Sequence, residues 1–578
     1  MAGQAAPTRD IQAKSASRLA GAGKSGWVSH LGLWLVCVAV LVLMHVPYLR
    51  LAYYWDEAGY YFPAALELAQ HGRLIPQTTL TEAHPPLLSL YLAAFYKVFG
   101  SAPIVTRLAM CLVSGAALYA MLLLAALLVP AGAGLWAAGL LMVCPLFFAQ
   151  STMANLDVAA TALTLAALYF YLRGRLIGYL IAASALCLTR ETGAAMVVLL
   201  AVLASRSRAF PQAADDSRGA GHWLRQALML LPLLPLAAWF LFLRIAAGHW
   251  LGDASFVAYN VQETLNPLRF LVTLFRRLFF LFFTDFRWIL AFPALLVLWK
   301  ARQSGSRVAS PRPGHQLLWM VLALHVLVMS LFGGAILERY LLPAMALFYL
   351  LSIESLERLN APHRRWSLLL LTLAQMACWF WNPPYPFPYE ENLAYVDFVD
   401  LHQTAAERAG RFDAGTRILT VWPATDEFSR PDLGYVQRPV KVVAMPDFSE
   451  ASFDNVQAED FDVLFMYSAE WRPSFDLLHE YPLLERIRED LYHRHPPMDP
   501  VEVRLRYNLV SLGAIRLRGQ WVEWMMRSDR FRTPQPVPPP PATPPLPAPR
   551  RAPTGPTRAG VKVSFPVSKK TRILSADV

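Results

Sequence analysis

Charge is scarce in this chain: Asp, Glu, Lys and Arg make up only 16% of its 578 residues, while hydrophobic residues make up 56%. Soluble domains carry roughly 25% charged residues, so a purely soluble protein is excluded. Cysteine is scarcer still. The five cysteines, Cys37, Cys111, Cys144, Cys187 and Cys378, lie inside apolar stretches with no CxxC spacing. They read as small buried hydrophobes and indicate neither a disulfide framework nor a zinc site. No internal repeat of solenoid length is present, and a complete phosphate-binding loop is missing. Gly21 to Gly26 (GAGKSG) ends like such a loop, but the first glycine of GxxxxGKS/T would fall at Arg18 and no strand precedes it. That segment reads as a flexible basic tail. The formal net charge of +11 is scattered through short loops between apolar runs, which is how orientation signals look, and it gives a nucleic-acid partner little support.

What the chain does have is long apolar runs. Candidate spans lie near 31–50, 104–128, 131–149, 156–172, 176–188, 192–204, 227–246, 279–299, 316–337, 340–357 and 366–381, about 11 passes of a ~30 Å hydrocarbon core. The first is preceded by a polar tail (1–30) and followed by no small-residue cleavage site, so it is expected to be retained as a signal anchor. Placing Arg9, Lys14, Arg18 and Lys24 in the cytoplasm also places there Arg173 and Arg175, the 206–225 loop, the 300–312 loop and Arg358, Arg364 and Arg365. Residues 51–103, 247–278 and everything after 382 then face the other side.

Within the outer loop 51–103, Ala58 to His71 and Pro86 to Phe99 have helical apolar spacing but are short for a span, so they read as helices lying along the membrane surface. Residues 266–278 (NPLRFLVTLFRRL) look the same. After Trp381 the composition turns polar. Tyr395 to Arg411 predicts a helix, and Arg417 to Trp422, Val440 to Ala444 and Phe461 to Tyr467 predict strands. A small α/β domain over 382–532 fits, followed by a Pro-rich, basic tail over 533–578 that is expected to be disordered or polyproline-like.

Residues able to carry chemistry concentrate in the first outer loop. Asp56 and Glu57 follow the first span directly, among Tyr53, Tyr54, Trp55, Tyr60 and Tyr61. A carboxylate beside aromatic rings can have its pKa tuned for base catalysis, and rings suit sugar faces or lipid headgroups. The same residues also suit an aromatic belt with solvated acids. Glu82 and His84 precede two prolines (TEAHPPLL) that signal a helix start.

Taken in order, Asp56-Glu57, His84-Pro85-Pro86-Leu87, Phe99-Gly100 closing a surface helix, and Arg107 at the outer end of the next span resemble the polyprenyl-phosphate-sugar-dependent GT-C glycosyltransferases. The likeness is strongest to the protein O-mannosyltransferases and their bacterial relatives, and more distant to the lipid A aminoarabinose transferase. Arg339-Tyr340 followed by Leu-Leu-Pro resembles the family's RYxxP pattern. The resemblance covers roughly residues 30–381. Glu82 and His84 lack the Gly-Lys that follows in the eukaryotic mannosyltransferases, so the acceptor class does not transfer with the fold.

The resemblance implies a polytopic α-helical membrane protein of GT-C type, in a bacterial inner membrane, with its active site on the non-cytoplasmic side. It implies an inverting transfer of a sugar from a polyprenyl-phosphate donor to an acceptor hydroxyl on a protein, lipid or polysaccharide. Asp56 would be the base by match to the family's first acidic position, with Glu57, Glu82 or His84 positioning acceptor or donor sugar. Arg107 and Arg339 would clamp the phosphate, since the guanidinium fork donates bidentately and stays charged. No cofactor is required because the leaving group is a monophosphate, and a divalent ion among Asp56, Glu82 and His84 stays an open alternative. Transfer of an aminosugar or oligosaccharide to a glycolipid is the runner-up. A transporter or lipid flippase would predict paired hydropathy repeats, which are not seen.

Three further positions stand out. Asp157, just after Asn155 at the start of a span, suits either a helix start or sugar contact. His325, in mid-span, reads as a satisfied core histidine. Arg190-Glu191 sits at the turn of a hairpin whose two arms, 176–188 and 192–204, each reach only ~20 Å. The tip is therefore expected within the membrane's depth, where Arg190 needs a counter-charge from protein or from donor phosphate.

Overall fold

The computed structural model describes residues 24–79, 84–204, 220–253, 257–262, 264–303, 313–332, 334–357, 359–473, 482–492 and 495–531. Glu82, the Pro-rich tail and parts of the 206–225 and 300–312 loops lie outside them. The first helix, α1 (Lys24–His45), begins within the glycine-rich segment and ends in a turn at Val46–Tyr48. In the outer loop a π-turn over Glu57–Tyr61 runs into α2 (Phe62–His71), which pairs with α3 (Leu87–Phe99). Both helices stop at glycines with positive φ, Gly72 and Gly100, a conformation costly for other residues.

The apolar body follows as α4 (Pro103–Leu128), α5 (Ala131–Val143), α6 (Pro145–Gln150), α7 (Leu156–Leu172), α8 (Leu176–Thr189) and α9 (Gly193–Ala204). Then come α10 (Ala220–Leu230), α11 (Leu233–Ala246), α12 (Pro267–Phe283), α13 (Trp288–Gln303), α14 (Pro313–Leu331), α15 (Leu342–Leu356) and α16 (Ala361–Cys378). Among the described residues four helical stretches are long and apolar enough to cross a membrane, Ser29–Tyr48, Pro103–Ala125, Gly314–Leu331 and Glu338–Leu356, and shorter apolar helices accompany them. The chain is thus a polytopic helical membrane protein. Helix α15 is apolar on every side and sits at its centre, packed against α5, α7, α13 and α14, as an all-round apolar helix must.

Two expected spans are broken. The 279–299 stretch bends by 107° between α12 and α13, so the interfacial 266–278 segment and the first half of that span form one helix. Asp285 and Phe286 take positive φ at the bend. The buried Arg287 caps the freed carbonyls of Phe280 and Leu281 there, satisfying groups that a helix end leaves without partners. The 131–149 stretch breaks at Cys144-Pro145, where proline cannot continue the helix.

Beyond α16 the chain forms α17 (Ala394–Ala409), β1 (Ile418–Val421), α18 (Ala424–Ser429), β2 (Val442–Met445), α19 (Glu450–Asp454) and β3 (Val463–Tyr467). It ends with α20 (Pro482–Tyr492), α21 (Pro500–Tyr507), β4 (Leu509–Leu517) and β5 (Gln520–Arg527). The sheet order is β2-β1-β3-β5-β4, with β1, β2 and β3 parallel, β5 antiparallel to β3 and β4 antiparallel to β5. All four residues of β1 and all five of β3 are buried, matching their unbroken apolar runs. This α/β unit is tied to the outer loop: Tyr53 N–H donates to the Leu433 carbonyl (3.2 Å), and Tyr435 Oη donates to the Tyr53 carbonyl (2.9 Å).

Candidate active site

The acidic pair after the first span divides between two arginines. Glu57 turns inward. Both its oxygens accept from the Arg107 guanidinium at 2.6 Å, and it also accepts from the backbone N–H of Tyr54 and Ala154. Arg107 also donates to the Thr152 and Ala52 carbonyls. With side-chain exposures of 1% and 0%, this pair is a strut joining the outer loop to α4 and the α6–α7 connection. In this geometry Arg107 and Glu57 are engaged with each other and with backbone groups, and neither lines the two clefts described below.

Asp56 points the other way and keeps 18% of its side chain exposed. It accepts from Arg339, a buried guanidinium at the start of α15 that also pairs with Glu390 and, through Nε at 3.0 Å, with Asp157. Asp157, in the first turn of α7, pairs in turn with Arg190 at the tip of the α8–α9 hairpin. Arg190 lies over the Tyr340 ring at 4.1 Å and Arg339 lies 5.6 Å from the same ring centre. Residues from five separate segments therefore meet in one charged cluster. Arg190 finds its counter-charge in protein, at Asp157.

His84 lies next to this cluster's hairpin: its Nδ1 is 2.9 Å from Glu191 Oε2, which latches His84 to the tip. His325 Nε2 contacts the Tyr340 carbonyl at 2.8 Å. Among the described residues no group of three or more His, Cys, Asp or Glu is placed to hold a metal ion. Asp56 and His84 pair separately, with Arg339 and with Glu191.

One cleft borders the cluster at Arg190 and is otherwise lined mainly by Ala160, Leu186, Met196, Val321 and Leu347, with Thr164, Thr192 and His325 as further polar residues. A second lies between Tyr60, Tyr61, Thr79, His84, Pro86 and Trp239. Apolar side chains dominate the first, and rings mixed with polar groups line the second.

No family model matches the sequence, and no curated protein matches it. Among solved structures the chain is similar to ArnT from Cupriavidus metallidurans bound to undecaprenyl phosphate, with a TM-score of 0.47 and 15% identity over 87% of this chain and 98% of that one. The apo form of the same protein gives a TM-score of 0.46 at 14% identity, over 87% of this chain and 98% of that one. The oligosaccharyltransferase AglB from Archaeoglobus fulgidus, in complex with an inhibitory peptide and a dolichol-phosphate, gives 0.40 at 11% identity over 76% and 69%.

Sequence reasoning missed Glu390, which completes the coordination of Arg339. Its signal was the one used at Asp56: an acidic pair, Glu390-Glu391, directly after a span and among aromatics (NPPYPFPYEE). Burial pushes the Glu390 carboxyl above its ordinary value against the pull of Arg339. Glu391 is pushed well above, by burial and by neighbouring Glu338. Glu338, Arg276 and Arg277 form a second ionic group beside Tyr340 and were also missed, since Arg276 and Arg277 read as the polar face of an interfacial helix.

Proposed function

We propose that this chain is an inverting GT-C type glycosyltransferase that moves a sugar from a polyprenyl-phosphate donor to an acceptor hydroxyl on the non-cytoplasmic side of the membrane. The observation that carries the reading is the meeting of Asp56 with Arg339 at the outer loop, beside an apolar cleft that ends at Arg190. In the reaction the acceptor oxygen attacks the anomeric carbon from the face opposite the phosphate. The bond from that carbon to the phosphate oxygen breaks, and the phosphate leaves with the electron pair. Asp56 takes the proton from the acceptor hydroxyl. Arg339 and Arg190 supply the positive charge that stabilises the departing phosphate. The polyprenyl chain would approach along the apolar side chains that border Arg190.

A second reading is favoured by the local charge balance. Three carboxylates, Asp56, Asp157 and Glu390, face two guanidiniums, Arg190 and Arg339. A donor whose sugar carries an amine would use that surplus, and a glycolipid acceptor would then be expected.

The test is transfer in membranes from cells with and without the gene, given radiolabelled polyprenyl-phosphate hexose and polyprenyl-phosphate aminosugar in parallel. Gene-dependent loss of label from the lipid supports glycosyl transfer, and the preferred donor separates the two readings. Equal turnover of both donors with and without the gene contradicts both.

A further inference from the structure

We infer that the ring set Trp55, Tyr60 and Trp422, with the Asp426 carboxylate beside it, is a subsite for a saccharide ring of the acceptor; this rests on the glycosyl-transfer reading above. Trp55 and Asp56 share one peptide and their side chains diverge. Asp56 goes to the arginines, where a donor phosphate belongs. Trp55 goes to the α/β unit, with its ring 5.2 Å from Trp422 and 5.9 Å from Phe398. A molecule resting on Trp55 is thus one residue from the proposed base, on the side away from the phosphate.

The arrangement is held deliberately. Trp55 has a φ of 48°, a conformation that bulky residues adopt only where the surroundings impose it, and such positions cluster at functional sites. Trp422, directly after β1, donates its indole N–H to Asp426 at 3.2 Å and lies 6.0 Å from the Tyr60 ring. It packs so closely on Gly59 that a Cβ there would stand 2.6 Å from its ring. Tyr60 also borders the outer-loop cleft, so the ring set adjoins that cleft at Tyr60. The opposite wall is fixed by the buried Glu67, which accepts from Gln77 N–H (2.9 Å) and Thr78 N–H (3.2 Å), while Thr79 Oγ1 donates to the Gly59 carbonyl at 2.6 Å.

Rings that serve only as glue between two parts are buried, as Tyr53, Tyr54 and Phe398 are here. Trp55, Tyr60, Trp422 and Asp426 all stay partly exposed. An aromatic face offers an apolar surface for the C–H face of a pyranose, and a carboxylate accepts from its hydroxyls. Burial pushes the Asp426 carboxyl up against the pull of Arg430 and the indole N–H, and hydroxyl donors would relieve that.

The experiment is saturation-transfer difference NMR on the purified full chain in lipid nanodiscs, titrated with maltose and with chitobiose, and repeated with glucose 1-phosphate as competitor. At least one disaccharide is expected to give saturable binding. Trp422→Leu and Asp426→Asn should each weaken it about five- to tenfold, the scale of one aromatic contact or one charge-assisted bond, while Trp422→Phe keeps most of it. Asp426→Asn preserves an acceptor for the indole, so it separates binding from folding should Trp422→Leu unfold. The inference is overturned by no saccharide signal, by binding unchanged in Asp426→Asn, or by displacement with glucose 1-phosphate, which would give the rings to the donor sugar. Donor turnover without a saccharide signal sinks this inference alone. A saccharide signal without donor turnover sinks the transferase reading and with it the acceptor role, leaving the rings as a saccharide site.

Discussion

Asp56 and Glu57 are neighbours in the sequence with different fates in the fold, and spacing alone did not separate them. Both follow a span among aromatics, so the position of the acidic pair was legible. Which carboxylate stayed partly exposed depended on where Arg107 and Arg339 lay, 50 and 283 positions away respectively from their partners Glu57 and Asp56. The outcome makes a direct contrast. Arg107→Ala leaves Glu57 buried and unpaired and is expected to cost about 3–5 kcal/mol of stability, read as a large drop in thermal midpoint in detergent with or without donor. Arg339→Lys keeps a charge but loses the fork shared by Asp56, Asp157 and Glu390. It is expected to raise the donor KM with a smaller loss of midpoint. Equal midpoints for wild type and Arg107→Ala would remove the strut from this picture.

The hairpin α8–α9 shows how an element's length can be read before its partners are known. Its arms run Leu176–Thr189 and Gly193–Ala204, where two flanking basic clusters and the short apolar stretch between them lead one to expect a hairpin. The partner of its tip, Asp157, could not be read, because residues near a helix start look alike whether they cap or pair. Since Arg190 and Asp157 are both buried, Arg190→Ala is expected to lower the thermal midpoint of the apo protein. An unchanged midpoint, with only the donor-induced shift lost, would mean the arginine's partner is the donor phosphate. The bend between α12 and α13 was illegible for a different reason: Asp285 and Phe286, not glycine or proline, carry the positive φ. The β4–β5 hairpin was missed because charged residues interrupt its apolar alternation. Its turn sets Arg518 against Asp397 in α17, with Arg518 Nε 3.4 Å from the carboxylate. Burial pushes the Asp397 carboxyl up to about 6, with Arg518 opposing. A folded value above the ordinary one means that the contribution to stability is full at pH below the usual carboxylate range and is lost as pH rises through about 6. Asp397→Asn should therefore flatten the fall in midpoint across that window. An identical slope in the variant would assign the pH dependence to other groups.

For the whole molecule, the contacts between the α/β unit and the outer loop require both to lie on one side of the membrane. From the arginine distribution we propose that the 206–225 loop lies on the other. In a cysteine-free background, Glu459→Cys should react with an impermeant maleimide in spheroplasts and Asp215→Cys should not; the reverse pattern would invert the topology and move the cluster to the cytoplasmic face. The most direct test of glycosyl transfer itself is turnover of a radiolabelled polyprenyl-phosphate sugar by the purified protein in nanodiscs, wild type against Asp56→Asn. The asparagine keeps the shape and removes the proton acceptor, so a rate loss of order 10² to 10⁴ is expected at an unchanged thermal midpoint. Near wild-type turnover in Asp56→Asn would contradict the assignment of Asp56 as the base at the centre of this site.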